Sequence, residues 1–447
     1  VRLVADPSLQ RWEEGRTVAG GSPYRILRLT ARGSALLDDW LAGNPVTAGS
    51  SLAERLIGTG MVHPEHDTAG LGPDDVTVVV PVHGQNPTAL LAALAGLRVI
   101  VVDDGSPAPI PGAAVRHDTA RGPAAARNAG WRLATTPLVA FLDADTLPEP
   151  GWLEPLLRHF EAPDVAAAAP RVRSTRGRSA LERYERTRSP LDLGPRPGPV
   201  LPGSRISYVP TAALLIRTDA LAELDGFDET MRFGEDVDLV WRLSARHRAR
   251  YEPAAIVEHT PRRSWAALLR QRYGYGCSAG PLGRRHGEHV APVRISLWSV
   301  LTWVLIAIGR PRLALVVTGA AAALLTRKLG ALGVPASESV KLALHGNLGA
   351  ARLLADAIGR SWAPLAIPPL LLSKRGRRVL VLVAARHLAE EGELDPVRHC
   401  LARLADDAAY GCGVLSGALR ERSTTALRPV LTDRGGRSSV PVGGGAA

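Results

Sequence analysis

The chain has 447 residues, a length of about two to four domains. Hydrophobic residues make up 46% and charged residues 22%, a globular composition that excludes a disordered chain. The formal charge is +11, but 51 of the 54 basic residues are arginine, and neither a lysine-rich tail nor aromatic-basic interleaving accompanies them. The charge therefore reads as compositional bias, and no nucleic-acid partner is expected.

Cys277, Cys400 and Cys412 offer no C-x-x-C pair and exclude a disulfide framework, in keeping with a cytoplasmic location. The opening VRLVADPSLQ carries early charges and no apolar core, which speaks against a secretory signal. Residues 24–29 (YRILRL) alternate like a short strand. Thr30 is placed to cap a helix through Leu37 and Trp40, and a second amphipathic piece, SLAERLIGTGMV, ends at Gly58 and Gly60. One strand, two short helices and a hairpin predict a winged-helix-like unit over 1–72, closed by a Gly/Pro linker around Pro73.

From residue 76 strands and helices alternate. Residues 76–82 (VTVVVPV) form a β-branched run of the kind buried on both faces. Helix is expected over 86–97, strand over 99–102, helix over 124–133, strand over 138–142, helix over 151–160 and strand over 165–172. This order predicts a parallel, doubly wound sheet, whose ligands sit outside the carboxyl ends of the strands. Residues 173–203 read as a loop or lid. A strand at 208–217, a helix at 235–245, a strand at 250–258 and a helix at 264–276 complete a domain over 73–289.

Beyond 290 the composition turns apolar. Residues 295–308 and 313–326 each run 14 residues without a charge, flanked by Arg310, Arg312, Arg327 and Lys328. At ~1.5 Å per residue each spans about 21 Å, short of the roughly 30 Å hydrocarbon core. The runs predict a buried, interfacial or re-entrant hairpin in a helical region over 290–421, with the inner face of the membrane as an expected partner. Residues 422–447 read as a disordered tail.

Asp143-Ala144-Asp145 closes the strand at 138–142. Alone, D-x-D is most often a solvated turn. At a strand end its paired carboxylates suit a hard ion, Mn2+ or Mg2+, facing a diphosphate. Asp103-Asp104-Gly105-Ser106 closes an earlier strand, where a carboxylate can meet a ribose or a base N–H. No G-x-G-x-x-G follows the first strand, which disfavours a nicotinamide site. Glu235-Asp236 opens a helix, either as a dipole partner or as a general base. His259 ends a strand, as a structural histidine or a further metal ligand. Arg127, or the start of its helix, is placed to meet a diphosphate.

In order and spacing, VVVPVHGQ, VVDDGS, RGPAAARNAGWRLA, FLDADT, GFDE and GEDVDLVWRL resemble the family-2 glycosyltransferases of the GT-A fold, over about residues 76–285. The resemblance implies an α/β, Rossmann-like nucleotide-sugar-binding domain and an inverting displacement. It puts Pro81, Asp103, Asp104, Arg127 and Asp143 on the donor, and Asp145 and His259 on the metal. Asp236 becomes the base, with Glu235 beside it. Processive members carry Q-x-x-R-W; here Arg272-Tyr273 stand on the acceptor side with Leu269 in the glutamine slot. That departure speaks against polysaccharide synthesis.

GGSPYRILRLT and RQRYGYGCSAGPLGRRHG further resemble the glycosyltransferases of the mycofactocin system of actinobacteria. That likeness implies glucose transfer from UDP-glucose onto a peptide-derived redox cofactor. The first 72 residues also resemble small winged-helix peptide-recognition domains. Two alternatives stay open: a membrane glycosyltransferase making a lipid-linked sugar or polysaccharide, and a non-catalytic peptide-binding scaffold. DNA binding by 1–72 is opposed by Asp38 and Asp39, since residues 34–41 carry no basic side chain.

Overall fold

The computed structural model describes residues 1–47, 49–67 and 69–433. The chain divides into two compact units, 1–267 with 391–394, and 268–390 with the residues from 395 onward. The division falls at 267/268, inside one continuous helix.

The first unit begins with β1 (Arg2–Ala5), β2 (Gln10–Trp12), β3 (Thr17–Gly20), β4 (Arg25–Arg28), α1 (Ala31–Leu41), α2 (Ser51–Gly58) and β5 (Val62–Glu65). Thr30 caps α1 by accepting from Gly33 N–H, and Ser50 caps α2. Leu3, Val18, Leu37, Trp40, Leu56, Met61 and Val62 pack into a core of their own. Where one strand and a hairpin are expected, two small sheets occur, β1-β5 and β2-β3-β4. The extra strands have only three or four residues each, too few for their alternation to stand out.

This subdomain is bonded to the sheet that follows. His63 Nε2 lies 2.8 Å from Asp6 Oδ2, and Arg250 Nη2 lies 3.2 Å from His63 Nδ1. Arg248 pairs with Glu54 at 2.8 Å, and Arg205 N–H donates to Ser22 Oγ. Arg250 is buried, its Nε and Nη1 have no hydrogen-bond partner, and burial pushes its pKa down to about 10.

The main sheet comprises β6 (Val76–Val82), β7 (Arg98–Asp103), β8 (Val115–Arg116), β9 (Leu138–Leu142), β10 (Thr146–Pro148), β11 (Val165–Ser174), β12 (Gly198–Pro199), β13 (Ala213–Arg217) and β14 (Arg248–His259). Its order is β10-β14-β11-β13-β9-β6-β7-β8, with β12 beside β14. Strands β9, β6, β7 and β8 are parallel, but β13 runs antiparallel to both β9 and β11. The expected all-parallel sheet is therefore mixed. The segment 175–212 leaves β11 and enters β13 at the same end of the strands, so β13 runs antiparallel to its neighbour.

The helices of this sheet are α3 (Thr88–Ala93), α4 (Pro123–Trp131), α5 (Leu153–Leu157), α6 (Ala180–Arg188), α7 (Thr218–Glu223) and α8 (Glu235–Ser244). Along β6, Val78, Val80 and Val82 join Leu90, Leu94 and Leu156 in one cluster, while Val79 joins Trp131, Leu239 and Leu243 in another. This period of two is why the β-branched run is buried on both faces.

The second unit is mostly helical: the later part of α9 (Trp265–Cys277), then α10 (Ala279–His286), α11 (Leu297–Ala307), α12 (Pro311–Gly330), α13 (Ala336–Asp356), α14 (Ala363–Leu371), α15 (Lys374–Leu388) and α16 (Pro396–Arg420). A Cβ on Gly276 would lie 2.1 Å from the Tyr410 carbonyl, and one on Gly413 2.1 Å from that of Tyr273, so α9 and α16 touch backbone to backbone. After α16 the chain is ordered through 433: β16 (Val430–Leu431) pairs with β15 (Arg294–Ile295). The remainder of the expected tail, 434–447, lies outside the described residues.

Candidate active site

The parallel register of β7, β6 and β9 sets their carboxyl ends side by side. Asp143 follows β9, and its carbonyl accepts from Thr146 N–H and Thr146 Oγ1, which locks the Asp143-Ala144-Asp145 turn. Strand β10 then pairs antiparallel with β14, with Thr146 opposite His259. Asp145 is thereby set beside the end of β14: its Oδ2 lies 3.5 Å from His259 Nε2 and 3.7 Å from Arg262 Nη1. Burial alone would raise the Asp145 carboxyl; the hydrogen bond and charge of His259, with Arg262, outweigh it and hold the group below the ordinary value.

Helix α4 packs on β6 and β7. Arg127 is buried, with Nη2 2.7 Å from Asp143 Oδ1 and Nη1 3.0 Å from Glu235 Oε1. Burial would lower its pKa, but Asp143 and Glu235 raise it, so the guanidinium stays charged. Glu235 and Asp236 sit at the start of α8. Gly234, at φ +79°, supplies the left-handed residue that turns the chain into that helix. Burial raises Glu235, against the pull of Arg127. Burial, then the charge of Glu235, pushes Asp236 up to about 7, while the Val237 N–H bond and Arg127 oppose the rise.

The motif residues around these carboxylates hold one another. Asn128 Nδ2 donates to the Phe227 carbonyl at 2.8 Å, and Phe227 N–H donates to Asn128 Oδ1 at 2.9 Å. Gly226 must be glycine: its φ is +65°, and a Cβ there would lie 2.4 Å from Asn128 Oδ1. Arg242 on α8 donates to the Leu224 and Gly226 carbonyls and to Asp238. Thus RGPAAARNAG, GFDE and GEDVDLVWRL form one hydrogen-bonded frame.

Asp103 and Asp104 are held by protein groups at the end of β7. Asp103 has no exposed surface; its oxygens accept from Ser106 N–H, Ile110 N–H and Arg116. Burial would raise it, but the Ser106 and Ile110 bonds and Arg116 bring it down to about 2. Asp104 accepts from Arg121 N–H, Gly122 N–H and His117 Nδ1, and so fixes the loop leading into α4. Pro81 lies half-buried near the end of β6. Arg127 is likewise committed to two carboxylates. Arg272 and Tyr273 belong to the helical unit, where Arg272 Nε donates to Asp406 at 3.0 Å and Tyr273 Oη to Ser416 at 2.9 Å.

The sequence reading missed Arg262 and His117. Arg262 stands three residues after His259, a spacing that marks it once Asp145 is known to face that strand end. No local pattern marks His117.

Among the described residues no group of three or more His, Cys, Asp and Glu side chains is arranged to hold a metal. Asp145 and His259 nonetheless offer one hard oxygen, which suits Mn2+ or Mg2+, and one imidazole nitrogen, which Mn2+ accepts more readily than Mg2+.

Residues 77–224 match glycosyl transferase family 2. The chain is 40% identical over 451 residues to the pre-mycofactocin glycosyltransferase of Mycobacterium tuberculosis, covering 94% of this chain and 95% of that protein. It is 33% identical over 207 residues to the succinoglycan biosynthesis protein ExoU of Rhizobium meliloti, covering 40% of this chain and 59% of that one. Among solved structures, the mannosyltransferase PcManGT of Pyrobaculum calidifontis, in complex with GDP-Man and Mn2+, aligns over 79% of this chain and 91% of its own at 18% identity, with a TM-score of 0.40. The motif frame and the near full-length likeness agree: the chain belongs to the family-2 glycosyltransferases, and within them to the family of the pre-mycofactocin glycosyltransferases.

Proposed function

We propose that the chain transfers glucose from UDP-glucose to a hydroxyl of a peptide-derived redox cofactor, with inversion at the anomeric carbon, as a step of mycofactocin biosynthesis. The observation that carries the reading is Asp236. It is a carboxylate at a helix start, raised to about 7 by burial and by Glu235, in the same frame as the Asp143-Ala144-Asp145 turn. A base poised near neutrality removes a proton efficiently.

In the proposed step the acceptor oxygen bonds to the anomeric carbon as the bond from that carbon to the diphosphate oxygen breaks. The electron pair leaves with the diphosphate, and the acceptor proton passes to the Asp236 carboxylate. Single displacement inverts the centre, through a transition state of oxocarbenium character. Asp145 and His259 would hold Mn2+ or Mg2+, which when bound offsets charge on the departing diphosphate. Arg262 adds a cation at the same edge. Arg127 holds Glu235 and Asp143 in place by ion pairs to both. Asp103 and Asp104 act on the donor by shaping the loops at the ends of β7 and α4.

The test is nucleotide release from a panel of nucleotide sugars with a divalent metal, with and without peptide-derived and lipid acceptors. UDP release that rises only with the peptide-derived hydroxyl supports the reading. A preference for lipid-linked acceptors would favour the membrane glycosyltransferase, and no turnover with any donor would favour the scaffold.

A further inference from the structure

We propose that α11 and α12 form a lipid-docking hairpin that seats the chain on an anionic membrane. The inference is independent of the glycosyl-transfer reading.

Helix α11 packs Val300 and Trp303 inward and turns a second apolar face outward. Its polar Ser299 and Thr302 are buried, while Leu297, Trp298, Leu301, Val304 and Ile306 are 40–53% exposed. Thr302 Oγ1 lies 3.3 Å from Thr318 Oγ1 of α12, so a polar contact forms the seam between the two helices and apolar side chains form the outside. In water this arrangement costs hydrophobic free energy; against lipid it is the stable one.

Helix α12 is exposed around most of its circumference. Leu313, Leu315, Val316 and Leu324 are 50–74% exposed and, at about 100° per residue, do not share one stripe. A second copy of the chain would cover a stripe; a lipid phase covers every side that faces away from the fold.

Charge selects the kind of surface. No Asp or Glu occurs between Glu288 and Glu338, whereas Arg294, Arg310, Arg312, Arg327 and Lys328 all do. Arg310 and Arg312 at one end of α12, and Arg327 and Lys328 at the other, are exposed. Such a segment complements anionic headgroups. Helix α12 has 20 residues, about 30 Å, and is long and apolar enough by length and composition to cross a membrane. The basic ends of the helix are placed to reach the headgroups.

Vesicle flotation of the full chain tests this. Phosphatidylglycerol-containing vesicles should carry the protein up the gradient at low salt, and phosphatidylcholine alone should carry about tenfold less. L315D/V316D, at two of the most exposed apolar positions, should abolish flotation with unchanged thermal melting and donor hydrolysis. R327E/K328E should weaken flotation about tenfold on anionic vesicles only. Absence of vesicle binding, equal binding to both vesicle types, or binding that survives L315D/V316D overturns the proposal. So does a dimer in solution that L315D/V316D converts to monomer while vesicles recover nothing, because a second copy then covers the face.

Discussion

Glu235 Oε1 accepts a hydrogen bond from Arg127 Nη1 at 3.0 Å across 108 residues of sequence. The same guanidinium binds Asp143, so one buried cation joins the turn at the end of β9 to the start of α8. Arg127→Met removes that cation and leaves two carboxylates facing each other in a confined site. Stability should fall by about 3–5 kcal/mol, as when one partner of a buried ion pair is removed. Glu235 and Asp236 should both become harder to ionise, so the acidic limb of the pH–rate profile should move to higher pH. A rate loss with an unmoved limb would show that Arg127 does not set the charge of this cluster.

Glu235→Gln gives the opposite sign. The charge of Glu235 is the second cause, after burial, that raises Asp236. Its removal should lower the Asp236 pKa from about 7 and carry the acidic limb to lower pH. A profile of kcat/KM against pH for the two variants reads both shifts in one experiment.

Asp236→Asn keeps the size of the side chain and removes the base. Transfer should fall roughly 10²–10⁴-fold, with nucleotide binding nearly unchanged and the limb near pH 7 absent. Stability should move the other way. The folded-state pKa is raised, so burial of the charged form costs stability progressively from about pH 4 up to about pH 7. The variant should therefore melt above the native chain at pH 8, with the gap narrowing toward pH 5.

The places where sequence was a good guide are those where chemistry follows local pattern. An apolar run ending in acid residues fixes a strand, its carboxyl end and the candidate carboxylates together, as at 138–145. Partners far along the chain left no such mark. Nothing in RGPAAARNAG says that its arginine is consumed by Asp143 and Glu235, or that its asparagine clamps Phe227. Asp103 and Asp104 were legible as acids at a strand end, but their saturation by Ser106, Ile110, Arg121, Gly122 and His117 depends on how the next loop folds back. The unit division was hidden because α9 continues through 267/268 without a breaker.

Metal binding separates Asp145 from His259. Asp145 is held below its ordinary pKa, so it remains ionised until the pH falls below about 4. Asp145→Ala should abolish Mn2+ binding in the presence of UDP, measured by calorimetry. His259→Ala should weaken it less, because the other ligands remain. A chelator should reproduce the Asp145→Ala loss of transfer. Unchanged turnover in excess chelator would remove the metal from the reaction.

The last prediction concerns His63, which joins the first 72 residues to β14. Burial lowers its pKa, with the charges of Arg250 and Arg205 adding to the effect and Asp6 opposing it. The neutral ring can donate from Nε2 to Asp6 and accept at Nδ1 from Arg250; the protonated ring cannot accept, and would face a second buried cation. A lowered histidine pKa favours the neutral form in the folded state. Stability is therefore full above about pH 6.5 and falls as the pH drops from there toward the folded value. His63→Ala leaves Arg250 buried without this partner and should cost about 1–3 kcal/mol, with less of the acid-induced loss. Deletion of 1–70 resolves what the subdomain does. If it recruits a peptide, the deletion should raise KM for a peptide-borne acceptor and spare UDP-glucose binding. Loss of donor binding and metal response together would show instead that Asp6 and His63 complete the catalytic fold at Arg250, on the strand that ends in His259.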